Sequence, residues 1–171
     1  GAGMSVVVVT GAGGLIGSET AQHFMAQGYD VLGIDNDMRA YFFGKDASTE
    51  WRMAELDQNP KFRGSPVDIR DFEGLYAAIH PFRSDIHLIV HAAAQPSHDW
   101  AAREPFTDFE VNAKGTLNVL EAARRTCPHA PFVFLSTNKV YGDRPNALPL
   151  TETKTRFEIA GDHPFAGRGI D

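Results

Sequence analysis

The stretch VVVVTGAGGLIGSE, from Val6 to Glu19, narrows the choice of fold more than any other part of the chain. A β-branched run too short for a helix, closed by glycine, fits a strand buried on both faces of a parallel sheet. Gly11, Gly14 and Gly17 then lead into a helix predicted over Leu15 to Gln27, with Ile16, Thr20 and Phe24 marking one face and Gly28 as the stop signal. Glycine at these positions permits a tight turn, close approach of backbone amides to a pyrophosphate, and close packing of helix on strand. The helix start adds unpaired N–H groups and a positive dipole end toward the same anion. An ordinary strand-to-helix turn is the rival reading, and glycine spacing alone does not separate the two.

The remaining elements extend this start into an alternating pattern. DVLGID (Asp30–Asp35) reads as a second strand, KFRGSPVD (Lys61–Asp68) as a weaker third, IHLIVHAAA (Ile86–Ala94) as a fourth and PFVFLS (Pro131–Ser136) as a fifth. Between them the sequence predicts a surface helix over Ala47–Asp57 with Trp51 inward, and a short helix over Asp71–Ile79 opened by a carboxylate cap. The longest helix is expected from Pro105 to near Thr126, with Phe109, Ala113, Leu117 and Leu120 at helical spacing. Strands alternating with helices predict an α/β fold of the Rossmann type, a doubly wound parallel sheet with helices on both faces. Gly1-Ala2-Gly3 before Met4 reads as an expression scar, and residues 4–136 as the Rossmann domain. From 137 to 171 periodicity fades, and the segment is expected to be a loop or insert.

Acidic residues stand where such a sheet would present its ligand edge. Asp35 ends the second strand about 20 residues beyond the glycines, where a carboxylate can accept both ribose hydroxyls of a dinucleotide. It would repel a 2′-phosphate, so NAD is favoured over NADP; Arg39 lies close but does not replace it. Asp68 ends the third strand, where it meets an adenine amino group or caps the helix from Asp71, two readings of similar weight. HAAAQPS (His91–Ser97) places small residues at the carboxyl edge of the fourth strand, where a ring or ribose can lie against backbone.

Composition removes several other classes. A net charge of −6 without a Lys/Arg cluster argues against nucleic acid as a partner. No apolar run reaches the roughly 18 residues of a membrane span, and a cytoplasmic location is expected. Cys127 is the one cysteine, so an internal disulfide is excluded, and it reads as a packing residue. His87 and His91 lie four apart on a strand with no third ligand nearby, so no metal site is expected. Ser136 lacks a G-x-S-x-G elbow, which leaves hydrolase chemistry without support.

With TGAGGLIGSE, DN, DIR, HAAAQ, VNAKGTLNVLEAAR and STNKVYGD in sequence order, the chain resembles the extended short-chain dehydrogenase/reductase superfamily, the NAD-dependent nucleotide-sugar epimerases and dehydratases. STNKVYGD, with AAQPS ahead of it, is most similar to the CDP-paratose 2-epimerase (CDP-tyvelose epimerase) branch. The resemblance implies that Gly11, Gly14, Leu15, Ile16 and Gly17 line the pyrophosphate turn, with Asp35 and Asn36 on the adenosine ribose. It implies that Asp68 and Ile69 flank the adenine, that Ala92, Ala93, Ala94, Gln95 and Pro96 line the nicotinamide-side ribose, and that Asn112 braces that region.

Thr137 falls where the family keeps its catalytic Ser or Thr, and Ser97, His98, Asn138 and Lys139 are expected near the substrate. A strand-end pair bonding local backbone is the plainer reading of Ser136 and Thr137. The implied activity is epimerisation of a CDP-sugar at C2 by transient oxidation and re-reduction with held NAD, in a homodimer built on the long helix. The alternatives are a nucleotide-sugar 4-epimerase, a 4,6-dehydratase, or an NAD-binding module without chemistry. The family's Y-x-x-x-K motif belongs on the helix after the fifth strand and is not found there; YFFGK (Tyr41–Lys45) matches only its spacing. The C-terminal half of the family fold is accordingly expected to be absent, and the chain alone inactive.

Overall fold

The computed structural model describes residues 4–94, 98–137 and 142–168, with His98 described by its backbone only. The chain divides into two compact units, meeting in sequence between Leu135 and Ser136. The first unit is built on five parallel strands: β1 (Val6–Thr10), β2 (Asp30–Ile34), β3 (Phe62–Ser65), β4 (Ile86–His91) and β5 (Phe132–Phe134). Their spatial order is β3-β2-β1-β4-β5, so the winding direction reverses between β1 and β4. This is the strand order of a dinucleotide fold, and the reversal opens a crevice beyond the strands' carboxyl ends.

Alternation along β1 explains why the sheet carries two cores. Val6 and Val8 join Leu32, Ile34, Ile86 and Ile89 on one face, while Val7 and Val9 join Val31, Phe62 and Val90 on the other. Successive side chains of a strand point to opposite faces, so a continuous valine run buries both. The first face is covered by α4 (Phe72–Ile79) through Leu75 and Ile79, and by α7 (Gly115–Thr126) through Val119, Ala122 and Ala123. The second face is covered by α1 (Leu15–Ala26) through Ala21 and Met25, and by α3 (Glu50–Leu56) through Leu56. Smaller helices α2 (Met38–Phe43), α5 (His98–Arg103) and α6 (Pro105–Phe109) flank the carboxyl edge. Asp71 caps α4 as expected, its carboxylate accepting the Gly74 N–H at 3.1 Å.

Several helix faces differ from the expected ones. On α1 the buried positions are Gly17, Ser18, Ala21 and Met25, whereas Ile16 is 57% exposed. Trp51 is exposed rather than inward, with the Arg52 guanidinium stacked 4.6 Å from its ring centroid. The long helix is interrupted by a π-helical turn over Glu110–Lys114 between α6 and α7. Its buried stripe is Val111, Gly115, Val119, Ala122 and Thr126, and Phe109, Leu117 and Leu120 point outward.

The second unit also differs from an irregular tail. It contains an antiparallel hairpin of β6 (Leu150–Glu152) and β7 (Phe157–Ile159). Thr153 closes the turn: its hydroxyl donates to the Arg156 carbonyl at 2.6 Å and accepts the Arg156 N–H at 3.2 Å. Among the described residues no helix is long and apolar enough to cross a membrane.

Among the described glycines, Gly17 has the least room for a side chain. A Cβ on Gly17 would sit 1.9 Å from the Gly11 carbonyl oxygen, a backbone atom held by the sheet. Gly17→Ala is expected to lower stability by about 1–3 kcal/mol in urea titration, the range for overpacking a fixed site. Gly161→Ala, with open space at its Cβ, should stay within about 0.5 kcal/mol of the parent.

Candidate functional site

A groove opens at the β1/β4 reversal, floored by the glycine turn. Gly11 adopts φ +66°, and a Cβ on it would meet the Ala92 and Ala93 backbone at 2.8–2.9 Å. A side chain there is excluded twice, by conformation and by space. The turn is held by the Gly11 N–H, which donates to the Ile34 carbonyl at 2.7 Å. No side chain caps the start of α1, and its first turn carries no acidic residue. A helix start without such a cap presents amide donors and the positive end of the helix dipole to whatever occupies the groove.

Asp35 is fixed in place by three donors of the chain itself. Its Oδ2 accepts the Gly13 N–H at 2.9 Å, and its Oδ1 accepts the Asp37 N–H at 2.8 Å and the Thr49 hydroxyl at 3.0 Å. Thr49, buried at the start of α3, is in turn held by Asp37, whose Oδ1 accepts the Thr49 N–H at 2.7 Å. Ser48 donates to the other Asp37 oxygen at 2.6 Å. Burial alone would raise the Asp37 pKa, but the Ser48 and Thr49 donors outweigh it and hold the group below its ordinary value. Asp37 occupies the left-handed region at φ 59°, where an aspartate is tolerated.

Asp68 is likewise committed. The Arg70 guanidinium grips it in a fork, with Nη2 at 2.6 Å and Nε at 2.9 Å from Oδ2, and the Arg70 N–H donates to Oδ1 at 2.9 Å. Desolvation pushes the Asp68 pKa up, and the hydrogen bonds and charge of Arg70 bring it below its ordinary value. Asp71 rather than Asp68 caps α4.

Of the residues expected at a cofactor, Gly11, Gly14, Leu15, Ile16, Gly17, Asp35, Asn36, Asp68, Ile69, Ala92, Ala93 and Ala94 all line this one groove. Asn112 is not among the lining residues; its side chain donates to Asp108 at 2.9 Å within its own helix, while the neighbouring Val111 lines the groove. Gln95, Pro96, Ser97, Asn138 and Lys139 lie outside the described residues, as does the side chain of His98. Thr137 is exposed and belongs to the second unit. Thr49, Met38 and Val67 line the groove without having been anticipated. Val67 directly precedes an acid already singled out, but nothing local to Thr49 marks it.

Tyr41 and Lys45, which match the Y-x-x-x-K spacing, do not share a helix face. Gly44, at φ +84°, ends α2 between them. The Tyr41 hydroxyl donates to Glu104 at 3.1 Å, and that carboxylate raises the tyrosine pKa, the opposite of what a general base needs. Among the described residues no group of three His, Cys, Asp or Glu side chains could hold a metal.

One buried imidazole lies behind the groove, next to the lining residue Ala92. His91 is 1% exposed at the end of β4, its Nδ1 2.6 Å from the Thr10 hydroxyl and its Nε2 2.9 Å from the Thr116 hydroxyl. Phe132 and Phe134 pack beside the ring.

Comparison with known proteins bears on this groove. The family model described as "NAD dependent epimerase/dehydratase family" matches residues 7–166. The chain is 32% identical to the CDP-paratose 2-epimerase of Salmonella typhi over 151 residues, 88% of this chain and 42% of that protein. A solved UDP-glucose 4-epimerase of Thermus thermophilus, in complex with NAD, is 35% identical with a TM-score of 0.55, covering 71% of this chain and 34% of that one. The UDP-Glc/GlcNAc 4-epimerase of Campylobacter jejuni superposes with a TM-score of 0.68 at 25% identity, covering 81% and 39%. The chain thus spans about two fifths of the length of these relatives.

Burial lowers the His91 pKa from 6.5 to about 4. The unfolded chain therefore binds a proton between those values that the folded chain refuses, so stability is complete above pH 6.5 and falls as the pH drops toward 4. The loss from this group is on the order of 3 kcal/mol at pH 4. Urea titrations at intervals across this window should show the decline, and His91→Gln should flatten it. An unchanged slope in His91→Gln would assign the decline to other groups. Asp37, Asp68 and Glu121, all lowered, lose their contributions mainly below about pH 4.5, at the lower edge of this window, and the comparison with His91→Gln separates them.

Proposed function

Because this chain belongs to the NAD dependent epimerase/dehydratase family, we propose that its groove binds NAD and serves epimerisation of a nucleotide-sugar, a CDP-sugar at C2. The observation that carries the cofactor reading is Asp35, a carboxylate fixed at the groove next to a glycine turn too tight for any side chain. The residues present fit the group. Pyrophosphate oxygens find the uncapped start of α1, and Leu15 and Ile16, 66% and 57% exposed, offer apolar cover beside it. Ala92, Ala93 and Ala94 let a flat ring lie against backbone.

Asp35 also sets cofactor choice. An ionised carboxylate offers about four acceptor sites, and Gly13, Asp37 and Thr49 take three. The Thr49 proton is shared with Asp37 Oδ1 at 3.1 Å, so at least one acceptor site, on Oδ2, is left for a ribose hydroxyl. A 2′-phosphate at that position meets a fixed negative charge and loses. Asp68, locked by Arg70, keeps an acceptor edge for the adenine amino group.

Bound NAD supplies the site with a two-electron hydride acceptor that returns what it takes. The chain's own contribution to that chemistry is to bind and orient, and Thr137 is the residue proposed to donate a hydrogen bond to the reacting sugar oxygen as charge develops on it. Support for the CDP-sugar comes from the resemblance of STNKVYGD and the similarity to the Salmonella typhi protein. The similarity to UDP-glucose 4-epimerases makes a UDP-sugar the second reading.

Calorimetric titration with NAD and NADP tests the cofactor assignment. The parent chain is expected to bind NAD more tightly than NADP. Asp35→Ala should weaken NAD by roughly 10- to 100-fold, the scale of one hydrogen bond to a charged group. Asp35→Asn should narrow the preference over NADP. Unchanged NAD affinity in Asp35→Ala would remove the assignment.

A further inference from the structure

Four hydrogen bonds run in series behind the groove, starting at the lining residue Ala93. The Ala93 N–H donates to Thr10 Oγ1 at 3.2 Å, and Thr10 Oγ1 lies 2.6 Å from His91 Nδ1. His91 Nε2 lies 2.9 Å from Thr116 Oγ1, which donates to the Asn112 carbonyl at 2.6 Å. The two ends of this series lie on two different elements beside the groove. Ala93 lies in the turn after β4, and Asn112 lies in the π-helical turn whose Val111 also lines the groove. A π-helical turn inside an α-helix is rare and frequently found at a functional site.

The direction of every bond follows from the far end. A carbonyl only accepts, so the single Thr116 proton points at Asn112, and Thr116 must accept from His91. His91 Nε2 therefore carries a hydrogen. A neutral imidazole then has a bare Nδ1, which must accept the Thr10 proton, leaving the Thr10 oxygen to accept the Ala93 N–H. In the opposite tautomer Thr116 would need to give its one proton to both Nε2 and Asn112. Thr10 would accept both the Nδ1–H and the Ala93 N–H, and its own proton would have no acceptor in the series.

We propose that His91, held as the Nε2–H tautomer, is a positioning residue that couples the Ala92–Ala94 wall of the groove to the π-helical wall at Val111. It touches no occupant of the groove and acts through Ala93 and Thr116. Its consequence for cofactor affinity rests on the NAD reading given above; the coupling itself does not. Thr10 and His91 are 0% and 1% exposed, so water does not substitute for a missing link.

The test uses Thr116→Val, which removes the acceptor for Nε2–H at a residue outside the groove lining. Nitrogen-15 NMR of the imidazole near neutral pH is expected to find Nε2 protonated and Nδ1 bare in the parent; an Nδ1–H ring overturns the proposal. In Thr116→Val the Ala93 amide resonance is expected to move, although three hydrogen bonds separate it from the substitution, and Thr116→Ser should restore it. An Ala93 amide that stays in place in a folded Thr116→Val chain overturns the coupling. NAD affinity should fall about two- to tenfold in the same variant, the scale of a neutral hydrogen bond. If the parent fails to bind NAD, the functional reading falls and the Ala93 resonance still decides the coupling.

Discussion

The approach of three backbones at the end of β1 is the constraint on which the rest of this domain depends. Gly17 of α1 lies against the Gly11 carbonyl, and Gly11 lies against the Ala92 and Ala93 backbone after β4. With a side chain at either glycine, helix, turn and neighbouring strand could not come this close. The same closeness puts Thr10 within 2.6 Å of His91, so a buried imidazole at the sheet edge has a hydroxyl partner on each side. Without them its two ring nitrogens would be desolvated at a cost that packing would not offset.

This constraint also explains which parts of the fold were legible in the sequence. Strands were readable because a sheet covered on both faces demands continuous apolar runs, and VVVV and HLIV satisfy that demand locally. The acids near the strand ends were readable because parallel strands all point their carboxyl ends to one edge, although β3 ends at Ser65 and Asp68 lies beyond it rather than at its last residue. Helix faces were less so. On α1 the spacing of Ile16 and Phe24 pointed to large residues as the buried side, but a helix held at contact distance from a strand buries small ones, Gly17, Ser18 and Ala21. On the long helix, Phe109, Leu117 and Leu120 are apolar at helical spacing and still face outward, because Gly115, Val119 and Ala122 fit closer to the sheet. Hydrophobic periodicity reports that a helix has an apolar stripe, and not which stripe meets the core when two compete. The hairpin of the second unit was missed for a related reason: three-residue strands are too short for alternation to register.

Thr49 marks a different limit. It is separated from Asp35 by 14 residues, and no motif connects them, yet it holds the carboxylate at 3.0 Å and closes the groove beside it. What ties it there is Asp37, whose left-handed backbone turns its carboxylate back onto Ser48 and Thr49. Such an arrangement depends on a loop closing in three dimensions, and a spacing rule has no access to it.

The two groove aspartates show how a site can be charged and still rigid. Asp35 is held by neutral donors, an amide at each oxygen and a hydroxyl, which fix its direction and leave its full charge facing the groove. Asp68 is held by the Arg70 guanidinium, which fixes its direction and cancels most of its charge. The difference suits different ligand groups. A ribose hydroxyl beside Asp35 meets an uncancelled acceptor, and a phosphate there is repelled; an amino group beside Asp68 needs only a fixed lone pair. In both cases the carboxylate is oriented before any ligand arrives, so binding does not bear the entropy of ordering it. Discrimination between a hydroxyl and a phosphate then rests on a charge that cannot rotate out of the way without breaking three bonds.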